Sequence, residues 1–327
     1  MVNNKNYYQE QGDLKEPKMD VSKPFHSASA NDAQSKQRFS QEPAVEIHRV
    51  VVIGGGVMGC GVAQNLAQVG IRVSLIETSE SARLGARKAI RRQLNGMRLL
   101  NPGALAKPVK EILSLIEVGA DLDPVRHADY VIENIVESVA EKQALYNSLN
   151  HYLPQGCTIA ANTSAIPIRR LAERLQHPET LVGIHFMNPV PEKNTVELIA
   201  AETTGPRALA DTRVLLARMG KQAIAVKDVA GFVSNRILML TINEAINTLE
   251  MGVSSADDID ALFCRCFGHA MGPLATADLI GLDVIRDTLI VLREEYDDDK
   301  YKPTELLQKM VEQGHLGRKS AKGFFQY

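Results

Sequence analysis

The sequence predicts an α/β fold, in which a mostly parallel sheet is followed by a region made of helices alone. From residue 49 onward, short runs of β-branched residues alternate with segments of helical hydrophobic spacing, which is the pattern of right-handed crossover units. After residue 230 the strand-like runs stop and only helical spacing continues. With 327 residues, of which 45% are hydrophobic, the chain is long enough for two domains with separate cores.

The apolar runs predict about eight strands, with helices on both faces of the sheet. The strand candidates span residues 49–53, 73–76, 113–118, 130–135, 157–161, 181–186, 196–201 and 223–226. Helices are predicted at residues 57–69, 79–100, 232–251, 255–266, 274–280, 283–296 and 304–312. These patterns divide the chain into a polar tail (1–46), a sheet domain (47–229) and a helical domain (230–327).

The composition of residues 1–46 indicates a disordered segment and a cytoplasmic location. Residues 1–46 are rich in Asn, Gln, Ser and charged residues and lack apolar periodicity, so we expect a disordered extension. Acidic residues in the tail argue against a mitochondrial transit peptide, and no apolar run there resembles a secretory signal. No run in the chain approaches the roughly 18 apolar residues that span a membrane. We therefore expect a cytoplasmic protein without a membrane partner.

Charge and cysteine usage exclude two further classes of function. The formal net charge of -2 and the pI near 6.5 show no basic excess, so nucleic acid is not an expected partner. The four cysteines lack CxxC pairs and histidines at metal-ligand spacing; they are Cys60, Cys157, Cys264 and Cys266. We expect reduced thiols and no metal site.

A glycine loop after the first strand predicts a dinucleotide cofactor. Gly54, Gly56 and Gly59 fit GxGxxG, in which the glycines allow a tight turn, close approach to a pyrophosphate and helix packing on the strand. The first helical turn, with Val57 and Met58, would point its amides at the phosphates. A strand, this loop and a helix in succession indicate a Rossmann-type domain. The alternative is a purely structural glycine turn.

The end of the second strand predicts which dinucleotide is bound. Glu77 stands where a carboxylate accepts hydrogen bonds from the adenosine ribose and repels the extra phosphate of NADP. We therefore expect NAD as the cofactor.

Polar residues after later strands predict an acid–base site. His185 ends one apolar run, and Glu197 lies in the next run beyond the loop MNPVPEKN. A neutral imidazole suits proton abstraction from an alcohol near pH 7, with the carboxylate holding its other nitrogen. Ser164 and Asn235 would hydrogen-bond the substrate oxygen. The alternative is a core histidine and an unrelated surface carboxylate.

The order of these motifs resembles that of the 3-hydroxyacyl-CoA dehydrogenases, over about residues 49–327. The shared stretches are VIGGGVMGCGVA, VESVAEK, NTS, GIHFMNPVP, GFVSNR, MGP, GLD and GRKSAKGFFQY. The resemblance implies a Rossmann-type domain, a helical domain that forms a homodimer, and interconversion of L-3-hydroxyacyl and 3-oxoacyl thioesters with NAD.

The resemblance also implies roles for single residues. His185 and Glu197 match the catalytic dyad of the family, and Ser164 and Asn235 match its polar residues on the substrate side. It further implies that four residues contact NAD, namely Glu137, Lys142, Asn188 and Lys319.

One departure from the family pattern leaves the carrier of the acyl group open. Gln93 and Leu100 stand where members specific for CoA have a serine and a lysine. Neighbouring basic residues either compensate or form a solvated face; they are Arg91, Arg92 and Arg98. The substrate is therefore a CoA thioester or the same unit on an acyl carrier protein, as in polyketide extender-unit pathways. A sugar-acid dehydrogenase and a non-catalytic NAD-binding protein are the further alternatives.

Overall fold

The predicted strands form one eight-stranded sheet in the computed structural model, which describes residues 46–327 except 102 and 104. The strands are β1 (Arg49–Ile53), β2 (Arg72–Ile76), β3 (Ile116–Gly119), β4 (Tyr130–Glu133), β5 (Thr158–Asn162), β6 (Leu181–His185), β7 (Thr195–Ala200) and β8 (Gln222–Lys227). Their order is β3-β2-β1-β4-β5-β6-β7-β8, and every neighbouring pair is parallel except β6 and β7. The predicted fold class is confirmed. Residues 1–45 of the predicted tail lie outside the described residues.

The antiparallel pair β6–β7 follows from a short connection. Only residues 186–194 join the two strands, and a parallel return would need a crossover of roughly a dozen residues or more. In the resulting register His185 lies directly opposite Glu197. The chain reversal therefore places the imidazole and the carboxylate side by side at the end of β6.

Eleven α-helices accompany the sheet within the described residues. They are α1 (Val57–Gln68), α2 (Glu80–Leu100), α3 (Val109–Ser114), α4 (Val139–Leu149), α5 (Ile168–Ala172), α6 (Pro206–Arg218), α7 (Ser234–Glu250), α8 (Ala256–Phe267), α9 (Pro273–Ile280), α10 (Leu282–Tyr296) and α11 (Glu305–Glu312). The five helices α7–α11 follow the last strand without another strand among them. This confirms the predicted change from alternating elements to helices alone.

The hydrophobic core consists of one cluster on each face of the sheet and a third among α7–α11. Along β1, Val50 and Val52 belong to one face, whereas Val51 and Ile53 belong to the other. Because both faces are covered, β1 is apolar throughout instead of alternating with polar residues. The third cluster includes Ile242, buried on α7, and other apolar side chains of the helical region.

The strand predicted at residues 113–118 is wrong in its first half. Leu113 belongs to α3, where it is buried together with Ile112, and β3 begins only at Ile116. Pro108 precedes this short helix and fits its N-terminus, since proline lacks a backbone N–H group. A short apolar run does not by itself distinguish a buried helical turn from a strand.

The turn from β1 into α1 permits no larger side chains at two of its glycines. A Cβ atom on Gly59 would lie 1.8 Å from the carbonyl oxygen of Gly54. Gly54 itself has φ of 104°, and a Cβ atom there would lie 2.4 Å from the carbonyl oxygen of Asn134. The glycine motif therefore serves close packing of the helix on the sheet at these two positions.

Among residues 46–101, 103 and 105–327, no helix has the length and hydropathy needed to cross a bilayer. Within the same ranges, His, Cys, Asp and Glu side chains form no group of three or more that could hold a metal ion.

Gly59→Ala is expected to lower the free energy of unfolding by about 1–3 kcal/mol, because its methyl group would force α1 away from β1. Chemical denaturation measures this change. The control is Gly96→Ala in α2, where nothing lies within 4 Å of the added Cβ and alanine favours the helix by roughly 0.5–1 kcal/mol. Equal stability of the two variants would contradict the packing explanation.

Candidate active site

The N-terminus of α1 has the shape and polarity of a pyrophosphate site. Gly56 is exposed, and a Cβ atom placed on it would meet nothing within 4 Å. The first turn of α1 carries no acidic side chain, so its free amides and the helix dipole favour an anion. These features fit NAD, and contact of its phosphates with the amides of Val57, Met58 and Gly59 stays a prediction. The residues of the predicted loop are therefore brought together as the motif requires.

Glu77 lies beside the glycine loop at the end of β2. Its Oε2 accepts a hydrogen bond from the amide of Gly55 at 2.8 Å, and its Oε1 accepts one from the amide of Ser79 at 2.9 Å. The carboxylate is thus held in place before any ligand binds, and each oxygen keeps a lone pair. The predicted contact of Glu77 with a ribose stays a prediction. Cys60 lies beneath the loop. Burial and, to a smaller extent, the charge of Glu77 raise the pKa of its thiol to about 11, so the thiol stays protonated.

His185 and Glu197 form a buried pair across β6 and β7. The Nδ1 atom of His185 lies 2.8 Å from Oε2 of Glu197. Both residues are buried, with exposed fractions of 6% and 7%. No hydrogen bond from the described residues reaches Nε2 of His185, so one ring nitrogen is held and the other is available to a substrate. The sequence predicted this pair, and the geometry is that of a base with an orienting carboxylate.

Glu197 remains ionised in spite of its burial. Burial raises the pKa of the carboxyl group, but hydrogen bonds from His185, the Ser234 hydroxyl and the amides of Ser234 and Val233 together lower it to about 2. Because an ionised carboxylate only accepts hydrogen bonds, we assign the proton of the neutral imidazole to Nδ1. Nε2 then carries the free lone pair.

The first turn of α7 joins the dyad to the loop after β5. The amides of Val233 and Ser234 each donate to Oε1 of Glu197 at 3.0 Å. In the next position, Nδ2 of Asn235 donates to the backbone carbonyl of Ser164 at 2.8 Å. The structure thus brings Asn235 and Ser164 together, as predicted. The Ser164 hydroxyl has no hydrogen-bond partner in the described part of the chain, which leaves it available to a substrate.

Glu137 organises the loop that carries Ser164. Its Oε1 accepts hydrogen bonds from the Thr163 hydroxyl at 2.6 Å and from the amides of Ser164 at 2.7 Å and Ala165 at 3.0 Å. This carboxylate therefore replaces several backbone partners of the turn. The predicted contact of Glu137 with NAD stays a prediction.

Lys142 lies under this loop in a completely buried ion pair. Its Nζ lies 2.7 and 2.9 Å from the two oxygens of Glu133 and 3.0 Å from the carbonyl oxygen of Asn162. Burial and, to a smaller extent, the charge of Glu133 raise the pKa of Tyr146, so its hydroxyl stays protonated. This hydroxyl donates a hydrogen bond to Glu133 at 2.8 Å. All three close partners of the ammonium group are protein atoms, so the predicted contact of Lys142 with NAD would require this cluster to open.

The loop between β6 and β7 packs against α1. Asn188 is exposed in this loop, and a Cβ atom on Gly61 of α1 would lie 3.2 Å from Cβ of Val190. The buried ammonium group of Lys221 donates to the carbonyl oxygens of Val190 and Lys193. The lysine therefore fastens the loop that carries Asn188, a contact that no pattern in the sequence predicts.

Lys319 has a partner within the helical region. Its ammonium group contacts both carboxylate oxygens of Asp283 near the start of α10. No contact in the described residues joins it to the glycine loop, so its role toward NAD stays a prediction.

The helix α2 carries the residues that left the acyl carrier open. Leu100 is 89% exposed, and Gln93 is half-buried. The basic residues beside them are exposed, namely Arg91, Arg92 and Arg98. They form no ion pair within the described residues. The face is therefore solvated and positively charged.

Two functional contacts were missed at the level of sequence. Within GFVSNR the sequence indicates a role for Asn235 alone, and its neighbour Ser234 carries only the general signal of a serine near a helix start. The cluster of Glu133 and Tyr146 around Lys142 had no signal beyond one charged residue in an apolar strand.

Comparisons with known proteins agree on both halves of the chain. The family model described as "3-hydroxyacyl-CoA dehydrogenase, NAD binding domain" matches residues 49–229, and "3-hydroxyacyl-CoA dehydrogenase, C-terminal domain" matches residues 231–327. A probable 3-hydroxybutyryl-CoA dehydrogenase of Bacillus subtilis is 38% identical, over 86% of this chain and 98% of the relative. The 3-hydroxybutyryl-CoA dehydrogenase of Bradyrhizobium diazoefficiens is 39% identical, over 87% and 97%.

Solved structures give the same result. The crystal structure of FadB2 from Mycobacterium tuberculosis has a TM-score of 0.83 and 33% identity, covering 86% of this chain and 100% of that one. The (S)-3-hydroxybutyryl-CoA dehydrogenase PaaH1 from Ralstonia eutropha has a TM-score of 0.79 and 34% identity, with coverage of 86% and 99%.

Lys142→Met is expected to lower the free energy of unfolding by about 3–5 kcal/mol, because it leaves Glu133 buried without its cation. Urea denaturation of the full chain measures this. The double variant Lys142→Met/Glu133→Gln should recover part of the loss. Wild-type stability of the single variant together with weakened NAD binding would instead support direct contact with the cofactor.

Proposed function

The chain belongs to the 3-hydroxyacyl-CoA dehydrogenase family, and from this we propose that His185 and Glu197 catalyse oxidation of a 3-hydroxyacyl thioester to the 3-oxoacyl form. The chain is an NAD-dependent oxidoreductase acting on CH–OH groups. The observation that carries the catalytic assignment is the buried 2.8 Å contact between His185 Nδ1 and Glu197 Oε2, with Nε2 available. A sugar-acid dehydrogenase and a non-catalytic NAD-binding protein are disfavoured by this pair.

His185 acts as the general base in the oxidation direction. Its Nε2 takes the proton of the substrate hydroxyl, and the imidazolium formed is stabilised by the ionised Glu197 on the other side of the ring. Ser164 and Asn235 orient the substrate oxygen toward Nε2. When bound along the glycine loop and Glu77, NAD supplies the acceptor for the hydride that leaves the same carbon. In the reverse direction the protonated His185 returns the proton to the carbonyl oxygen.

The carrier of the acyl group is proposed to be CoA. Two of the relatives named above are 3-hydroxybutyryl-CoA dehydrogenases, and a third is a probable one. The exposed basic face of α2 supports binding of an anionic carrier, with Arg91 and Arg92 available for the phosphates of CoA. The same face favours an acyl carrier protein as the second candidate, since Leu100 offers an exposed apolar side chain beside the charges. The homodimer and the cytoplasmic location expected from the sequence remain predictions.

His185→Gln is expected to reduce kcat for 3-hydroxybutyryl-CoA oxidation by on the order of 10²–10⁴-fold, because glutamine cannot accept the proton. The increase in NADH absorbance measures turnover. NAD affinity, measured by calorimetry, should change little, and this serves as the control for folding. Unchanged turnover would refute His185 as the base.

The same 3-hydroxybutyryl group is expected to be oxidised with higher kcat/KM on CoA than on an acyl carrier protein, and Arg91→Glu/Arg92→Glu should raise KM for the CoA thioester. High salt should reproduce this weakening in the unmodified protein, because exposed charges are screened. NADH formation at matched thioester concentrations makes the comparison. A higher kcat/KM with the carrier protein would replace CoA by the second candidate.

A further inference from the structure

The hydroxyl group of Ser234 contacts both members of the dyad. Its Oγ donates to Oε2 of Glu197 at 2.6 Å and lies 3.4 Å from Nδ1 of His185. Oε2 is also the oxygen that faces His185. Two donors, the hydroxyl and the imidazole N–H, therefore share one carboxylate oxygen.

The Ser234 hydroxyl is not needed to hold Glu197 at this place in the fold. Ser234 is the first residue of α7, and the preceding Val233 provides no side-chain cap. The carboxylate of Glu197 supplies the cap by accepting the amides of Val233 and Ser234 through Oε1. These backbone contacts would persist if the hydroxyl were removed. Its specific effect is therefore on the charge of Oε2.

Two effects of the hydroxyl on His185 oppose each other, and their distances decide between them. A donor at 2.6 Å from a carboxylate oxygen withdraws negative charge and so weakens the stabilisation of an imidazolium. The hydroxyl oxygen also lies near the imidazole N–H, but 3.4 Å is too long for a strong hydrogen bond. The first effect is the larger.

We propose that the Ser234 hydroxyl tunes the base, keeping His185 deprotonated to a lower pH than Glu197 and its backbone contacts alone would allow. This inference rests on the proposed role of His185. Ser234 is thus a positioning residue that acts on the reaction through Glu197. It extends the pH range over which the oxidation direction has a free base.

The charged groups on neighbouring elements have other partners or are solvated. Glu137 is bonded to the loop after β5, and Asp228 accepts the amides of Ile168 and Arg169. Arg236 lies over the ring of Tyr296 and donates to Tyr301. Glu295 on α10 pairs with Arg169 and Arg170, and Lys227 at the end of β8 is exposed. Glu197 is therefore the charge that bears most directly on His185.

The test compares Ser234→Ala with Ser234→Thr, which keeps the hydroxyl. In the full chain with NAD and 3-hydroxybutyryl-CoA, the acid limb of kcat/KM is expected to move up by about one pH unit in Ser234→Ala. With acetoacetyl-CoA and NADH, where protonated His185 is the acid, the alkaline limb should move up as well. Ser234→Thr should restore both midpoints.

A shift of both limbs in the same direction separates tuning from a structural role. Lower activity or a lower Tm with both midpoints unchanged in Ser234→Ala would overturn the inference, as would a downward shift. His185→Gln run in the same assays tests the underlying function separately. If His185→Gln loses turnover while the Ser234→Ala midpoints stay in place, only the inference about Ser234 fails; if His185→Gln retains turnover, the proposed base fails too.

Discussion

The carboxylate of Glu197 is the group on which the organisation of the site depends. It is held in the sheet by β7, faces His185 across the antiparallel register, and accepts two amides from the start of α7. One side chain therefore connects His185 with the helical region. An ionised carboxylate buried to this extent is tolerated because four donors surround it, and those donors come from both parts of the fold. The same hydrogen bonds therefore orient the pair of His185 and Glu197 and connect the sheet with the helical region.

Residues on two sides of the site hold its loops in place. The short loop after β6 reverses the direction of the chain, and Lys221 fastens that loop by donating to two of its carbonyl oxygens. Val190 of the same loop packs against α1 beside Gly61. On the other side, Glu137 shapes the turn that presents Ser164. Ser164 and Asn235 are held through backbone groups, because the amide of Ser164 donates to Glu137 and Nδ2 of Asn235 donates to the carbonyl oxygen of Ser164.

Much of this arrangement is visible in the sequence because it depends on local rules. The strand, glycine loop and helix follow from spacing, and a nine-residue connection, 186–194, between apolar runs is enough to pair His185 with Glu197. The run at 113–118 misled because helix and strand bury short apolar segments equally well. The contact of Ser234 with Glu197 and the partners of Lys142 were not predictable, since they depend on which distant side chains meet in the packed interior. Burial of Lys142 in particular is a tertiary property with no periodic signal.

The position of α7 along the chain also has a consequence in time. During synthesis from the N-terminus, the glycine loop and both strands of the dyad are made before residues 233 and 234 are added. The glycine loop is therefore complete while Glu197 still lacks three of its hydrogen bonds. A shortened molecule that ends before α7 would keep the glycine loop but would leave Glu197 with the imidazole of His185 as its one remaining donor among these four.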